Sequence, residues 1–431
     1  MIKHIPTLFL SLIILGCTNN DSSVNTVESE PKSLEEWLAE PFDSRKSLDS
    51  FSFSKEPLAK NRVEKITNLL VQDKVEIMKT TFGADWSQRK LNYQGKVMPF
   101  YYKIFGNEPS DGRSLFISLH GGGGTTSVVN DQQYENQKNL YNQTMNTVEG
   151  VYLAARATTN TWNLWHQNHI DDFFNIIIQM AMTMENVNPN KVYLLGYSAG
   201  GDGVYQLAPR MADRWAAAAM MAGHPNDSSP LGLKNTPFAL HVGALDTAYD
   251  RNLKAQQWKN LLDELESNAP GTYLHQVQIH DGLGHWMNKK DAVAIPWMKN
   301  NLRNPIPKKI VWKQDDRHHS SFYWIGTPDK LIETGGEIIA EYSTEQNEIN
   351  IISNYSEILQ LYVNDEMLDL DMPITIKYQG KTISQKVFKR SIYNIYKTLS
   401  LKGDPKLSFS SLITVVAVSY THLTLPTIYS V

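Results

Sequence analysis

Between residues 91 and 304 the chain alternates short apolar runs with longer segments in which large side chains recur every three or four positions. The runs are SLFISL, GVYLAA, KVYLLG, AAAAMM, TPFALHVG and HQVQIH. They have strand length, and all but HQVQIH are too uniformly apolar to leave one face in water. Between them, HIDDFFNIIIQMAMTME and RNLKAQQWKNLLDELES carry helical spacing. GGDGVYQLAPRMADRW predicts a helix interrupted near Pro209, and DAVAIPWMKNNL predicts a last helix. Buried strands separated by helices predict an α/β fold, a doubly wound and mostly parallel sheet covered on both faces. A hairpin turning at Gln94-Gly95 leads into it.

The flanks have other textures. Residues 33–90 read as helical: SLEEWLAE opens on a capping-box pattern, Ser33 to Glu36, and NRVEKITNLLVQDKVEIMKTTF keeps a helical period. After NPIPKK, residues 305–417 become short strands and turns with one helix near SIYNIYKTL. That pattern predicts a smaller, mostly β C-terminal domain without helical crossovers.

At the start, MIKHIPTLFLSLIILGC joins a basic residue, a short apolar stretch and a small residue before cysteine. Such a stretch is too short for a permanent membrane span and reads as a signal peptide over residues 1–16. ILGC resembles the bacterial lipobox, which implies lipidation of Cys17 and anchoring in the cell envelope, periplasmic or surface-facing. Residues 17–32 read as a flexible polar tether. At the other end, VSYTHLTLPT back-translates to a transposase adapter used in sequencing libraries, so residues 418–431 are set aside from the fold as a read-through segment.

Composition narrows the chemistry. The 431 residues are 41% hydrophobic and 20% charged, and the formal net charge of -4 comes without a long block of like charge. Nothing there marks a nucleic-acid surface. The one cysteine is Cys17, which excludes an intramolecular disulfide and a thiol nucleophile in the folded core. Oligomeric state leaves no trace in the pattern.

A serine needs a base to take its proton, and the base needs a third group to hold it. Ser198 stands in Gly196-Tyr197-Ser198-Ala199-Gly200, between a strand and a helix, where Gly196 and Gly200 relieve a sharp turn and Gly201 lets the helix approach the sheet. Asp246, at the end of TPFALHVGALD, is the candidate acid in preference to Asp250. His285, in the loop GLGHW, is the candidate base in preference to His280, which ends its strand. The developing oxyanion calls for two backbone N–H groups. Ala199 is one candidate, and Gly121 or Gly122 in the loop HGGGG is the other.

Trp162, Trp165 and His166 follow the next strand at the same end of the sheet; they are read either as lining a substrate pocket or as packing in a large loop. His318-His319, beside Asp315 and Asp316, lacks metal-ligand spacing, and no metal is assigned.

Together, HGGG, GYSAG, Asp246 and GLGHW resemble the α/β-hydrolase superfamily, with polyhydroxybutyrate-depolymerase-like and prolyl-oligopeptidase-like esterases as the nearest-looking branch. The resemblance covers residues 90–303. It implies ester or amide hydrolysis through an acyl-enzyme, with no metal or cofactor. The expected substrate is a small-molecule or carbohydrate-linked ester. Two other readings stay open: a serine peptidase on the same machinery, and a non-catalytic lipoprotein whose β domain grips carbohydrate.

Overall fold

The computed structural model describes residues 30–416. Cys17, the expected signal peptide, most of the tether and the segment 418–431 lie outside the described residues. Among the described residues no helix is long and apolar enough to cross a membrane.

The chain begins with α1 (Leu34–Ala39), α2 (Ser52–Lys55) and the long α3 (Lys60–Gln88). The Glu36 N–H donates to Ser33 Oγ at 3.2 Å, so Ser33 caps α1 as its position predicts. These helices do not form a core of their own. Leu34, Trp37, Ile66 and Leu70 bury against Ile392, Ile395 and Leu399 near the other end of the chain.

The main sheet comprises β1 (Lys90–Tyr93), β2 (Lys96–Phe105), β3 (Arg113–Leu119), β4 (Gly150–Ala155), β5 (Val187–Tyr197), β6 (Ala217–Met221), β7 (Phe238–Gly243) and β8 (His275–His280), in the order β1-β2-β4-β3-β5-β6-β7-β8. β1, β2 and β4 pair antiparallel; from β4 to β8 every pairing is parallel. The β1–β2 turn puts Gln94 at φ 49° and Gly95 at φ 72°, the left-handed pair that two-residue hairpins require. β3 and β4 are buried almost throughout, which is why their sequences lack alternation.

The C-terminal part of α3 packs on the sheet through Met78 and Trp86, and further helices cover or edge it: α4 (Ser127–Asn139), α5 (Asn142–Met145), α6 (Asn168–Glu185), α7 (Ala199–Arg210), α8 (Arg251–Asn268) and α9 (Ala294–Lys299). α4 carries no apolar stripe because it buries polar groups instead. Its inward residues are Asn130, Tyr134 and Gln137, and Gln137 Nε2 donates to Ser118 Oγ at 2.6 Å. Hydrophobic periodicity is blind to such a helix.

The C-terminal region is two sheets on one core. The strands are β9 (Lys309–Lys313), β10 (Ser321–Phe322), β11 (Ile325–Gly326), β12 (Glu337–Ser343), β13 (Glu348–Ser353), β14 (Ile358–Val363), β15 (Ile374–Tyr378), β16 (Lys381–Lys386) and β17 (Ser411–Val416). One sheet runs β16-β15-β13-β12-β9 and the other β10-β11-β14-β17. Trp312, Trp324, Ile338, Ile349, Leu361 and Ile413 pack between them. The helix α10 (Ile392–Lys402) returns to the N-terminal helices.

The seam between this region and the main sheet is charged and buried. Arg214 and Arg303 approach Asp404 at 3.1 and 2.7 Å. Lys402 Nζ lies 3.1 Å from Asp213 Oδ2.

Candidate active site

The structure brings Ser198, His285 and Asp246 together at the carboxyl edge of the parallel sheet. Ser198 follows β5 and begins the turn into α7, at φ 58° and ψ −122°, a backbone state strained for any residue with a Cβ. The strain holds only because its neighbours are bare. A Cβ on Gly200 would collide with the Leu119 carbonyl, and one on Gly196 with the Gly200 peptide. In exchange the hydroxyl projects from the sheet edge, and it donates to His285 Nε2 at 3.0 Å. His285 Nδ1 donates to Asp246 Oδ2 at 2.8 Å. Asp246 is 2% exposed, so its charge is directed onto the imidazole rather than into water. The competing Asp250 sits exposed at φ 56° before α8, with no cap bond. His280 instead stacks on His241 with ring centres 5.4 Å apart.

Tyr197 secures the histidine loop. Its hydroxyl donates to the His285 carbonyl at 2.7 Å and accepts the Met287 N–H at 3.0 Å. The sequence offered only its place beside Ser198 as a hint of this role.

Gly121 lies against Ser198: a Cβ there would stand 3.1 Å from Ser198 Cβ. Among the described residues, the N–H groups of Gly121 and Gly122 have no protein acceptor. The Ala199 N–H opens α7 and has no intrahelical acceptor either. The Gly123 N–H is occupied, donating to Asn130 Oδ1 at 2.8 Å. That contact, made from the polar α4, separates the open donors of the loop from the structural one.

His120 anchors the loop from below. Its Nδ1 donates to the Gly121 carbonyl at 2.6 Å, and its Nε2 accepts the Ala157 N–H at 3.2 Å. Acceptance at Nε2 requires the neutral ring, and burial pushes its pKa down to about 4 against the opposing bond to the Gly121 carbonyl. Because a trans peptide points its C=O and N–H in opposite directions, gripping the Gly121 carbonyl also aims the Gly122 N–H.

Trp165 corrects the pocket-lining reading. It is fully buried, stacks on Phe174, and donates from Nε1 to the His120 carbonyl at 2.9 Å. It therefore supports the glycine loop from behind and meets no ligand space. Trp162, by contrast, is 64% exposed and lies over Gly124, where a Cβ would strike the indole. His166 lines a side cavity rather than the space above Ser198.

The main cavity, about 700 Å³, is lined by Ser198, His285, Gly121, Trp162, Arg251 and Trp286. That volume is typical of a small-molecule site. Arg251, unforeseen from the sequence, approaches Asp246 Oδ1 at 3.8 Å. At the seam, His319 Nε2 donates to Asp171 Oδ2 at 2.7 Å, and Arg210 donates to Asp171 Oδ1 at 2.6 Å. Among the described residues no group of three or more histidine, cysteine or acidic side chains has metal-binding geometry.

Residues 139–301 match the family model of the Dienelactone hydrolase family, a stretch that contains Ser198, Asp246 and His285 but not the glycine loop. Solved structures to which the chain is similar include a thermostable esterase at 17% identity, with a TM-score of 0.40, covering 50% of this chain and 62% of that one. The acetyl xylan esterase from Aspergillus awamori is 13% identical with a TM-score of 0.35, covering 47% of this chain and 93% of its own. Est1E from Butyrivibrio proteoclasticus is 14% identical with a TM-score of 0.34, covering 49% of this chain and 95% of its own. The chain thus spans 62% of the length of the thermostable esterase. No curated protein matches it significantly.

Proposed function

We propose that this chain, an α/β-hydrolase by fold, is a serine esterase that cleaves carboxylic esters through an acyl-enzyme. The observation that carries the reading is the unbroken relay from Asp246 through His285 to Ser198, at 2.8 and 3.0 Å, on the wall of the main cavity. In this reading His285 Nε2 takes the Ser198 proton as Oγ attacks the ester carbonyl. Asp246 holds the Nδ1 proton and stabilises the imidazolium. The carbonyl oxygen, now anionic, is met by the N–H groups of Ala199 and of Gly121 or Gly122. Collapse expels the alcohol, which receives the proton from His285, and leaves the acyl group on Ser198. Water then repeats the sequence and releases the acid.

The test is steady-state turnover of acetyl, feruloyl and hydroxybutyryl esters beside peptide amides. Ester hydrolysis faster than amide hydrolysis is the expected result; the reverse order would turn the reading into a peptidase.

The lipobox-like ILGC supports a second element of the proposal: the enzyme is held at the cell envelope through lipid on Cys17. Metabolic labelling with an alkynyl fatty acid should mark the wild type and miss Cys17→Ser. Equal labelling of both would end that idea.

A further inference from the structure

Beside the main cavity lies a second one of about 310 Å³, and Trp162 and Arg251 line both. It opens against the first turn of α7, where Asp202 stands one turn beyond Ser198. From this geometry we infer that the second cavity is a subsite for a single neutral sugar ring carried on one side of the scissile ester. The inference rests on the esterase reading and supplies its substrate class.

The walls are aromatic. Trp162 and Tyr249 are 64% and 63% exposed, and their rings meet edge-on with centres 6.1 Å apart. Exposed rings at a cavity mouth offer flat apolar faces, to which the C–H face of a pyranose is complementary.

The floor is polar in both senses. The Arg251 side chain is nine-tenths buried, its guanidinium lies 4.9 Å from the Tyr249 ring centre, and its Nε has no protein partner. Asp202 accepts the His224 N–H at 2.6 Å through one carboxylate oxygen. His166 Nε2 is buried without a partner, and burial drives the pKa of that ring down to about 4, which keeps it neutral. Buried polar groups left open in this way are expensive unless a ligand or water meets them.

Charge selects the class of ligand. One guanidinium and one carboxylate face the same small space, so a carboxylate ligand would gain from Arg251 and lose against Asp202, and an ammonium the reverse. A polyhydroxylated neutral group uses both, since each hydroxyl donates and accepts. The volume sits at the lower end of ligand cavities, which favours one ring over a chain.

The test separates binding from turnover. Ser198→Ala protein is titrated with methyl β-xyloside, methyl glucoside, methyl glucuronoside and methyl acetate, following tryptophan fluorescence. Saturable binding of the neutral glycosides is expected, about tenfold weaker with Tyr249→Ala added, in protein that melts normally. In the active enzyme, kcat/KM for an acetylated methyl glycoside relative to p-nitrophenyl acetate should fall about tenfold on Tyr249→Ala or Asp202→Asn. Neutral glycosides that fail to bind, tighter binding of the glucuronoside, or an unchanged ratio would overturn the subsite. Absent turnover of every ester, with glycosides still bound, would instead overturn the esterase reading alone.

Discussion

The carboxyl edge of the main sheet and the seam beneath it treat polar groups in opposite ways. At the edge, left-handed backbone keeps some of them open: Ser198 sits at a strained φ of 58°, Gly122 and Gly123 take 104° and 82° as only glycine does freely, and the N–H groups of Gly121 and Gly122 lack acceptors. At the seam, charges are buried in ion pairs: Arg214 and Arg303 close on Asp404, and Arg210 and His319 close on Asp171, while two guanidinium nitrogens each of Arg210 and Arg214 keep no hydrogen-bond partner. Open groups at the edge cost stability and leave donors for a reacting carbonyl. Paired charges at the seam add little net stability over apolar packing, yet they fix one docking of the β region on the sheet. The comparison therefore predicts that damage at the edge appears in rate, and damage at the seam in stability.

The largest effect belongs to Ser198→Ala. Ester kcat should fall by about 10⁴-fold or more, with an unchanged melting curve. A fall under tenfold would break the assignment of the edge to chemistry. Next is Asp404→Ala, which strands two buried guanidinium groups. It should cost about 3–5 kcal/mol in urea unfolding while the folded fraction keeps its kcat. Lost kcat in fully folded protein would show that the seam also shapes the site.

Acid probes both regions. Burial holds His120 at about 4 when folded, below its ordinary 6.5, so the unfolded chain binds more protons between these values. Its contribution is complete above about pH 6.5 and shrinks as pH falls towards 4, by roughly 3 kcal/mol in total. His319, lowered by burial, adds to the loss from the seam side. Burial alone would raise Asp171, but Arg210 and His319 outweigh it and hold the carboxyl at about 2. The contribution of Asp171 is present above 3.8, its ordinary value, and goes only as pH falls through about 2. Unfolding measured from pH 7 to 4 should show a shallower slope in His120→Gln; an identical slope would contradict the neutral, buried ring.

The smallest effect is that of Trp165→Phe, which keeps the stacking and deletes one bond to the His120 carbonyl. A drop in kcat of about tenfold at most is expected, with KM nearly constant. An effect on KM alone would return Trp165 to the substrate pocket.

Much of this architecture is legible in the sequence because it is local. Uniformly apolar runs mark the inner strands, and glycines beside Ser198 mark a turn that other residues would block. Asp246 and His285 each stand in a loop just past a strand, so fold topology alone brings them to one edge. What escapes the sequence is what depends on partners far along the chain. α4 hides because its buried face is polar. Trp165 stays open between pocket and packing in the sequence because nothing local shows that its indole turns inward to His120. The Arg214–Asp404 pair spans residues whose meeting only the folded chain defines.

The most direct test of the account is labelling of folded wild-type protein with a fluorophosphonate, followed by peptide mass mapping. One adduct per chain, located on Ser198 and abolished in His285→Ala, is the predicted result. No adduct, or an adduct on a different residue, would contradict the claim that the Asp246–His285–Ser198 relay is the chemical centre of this protein.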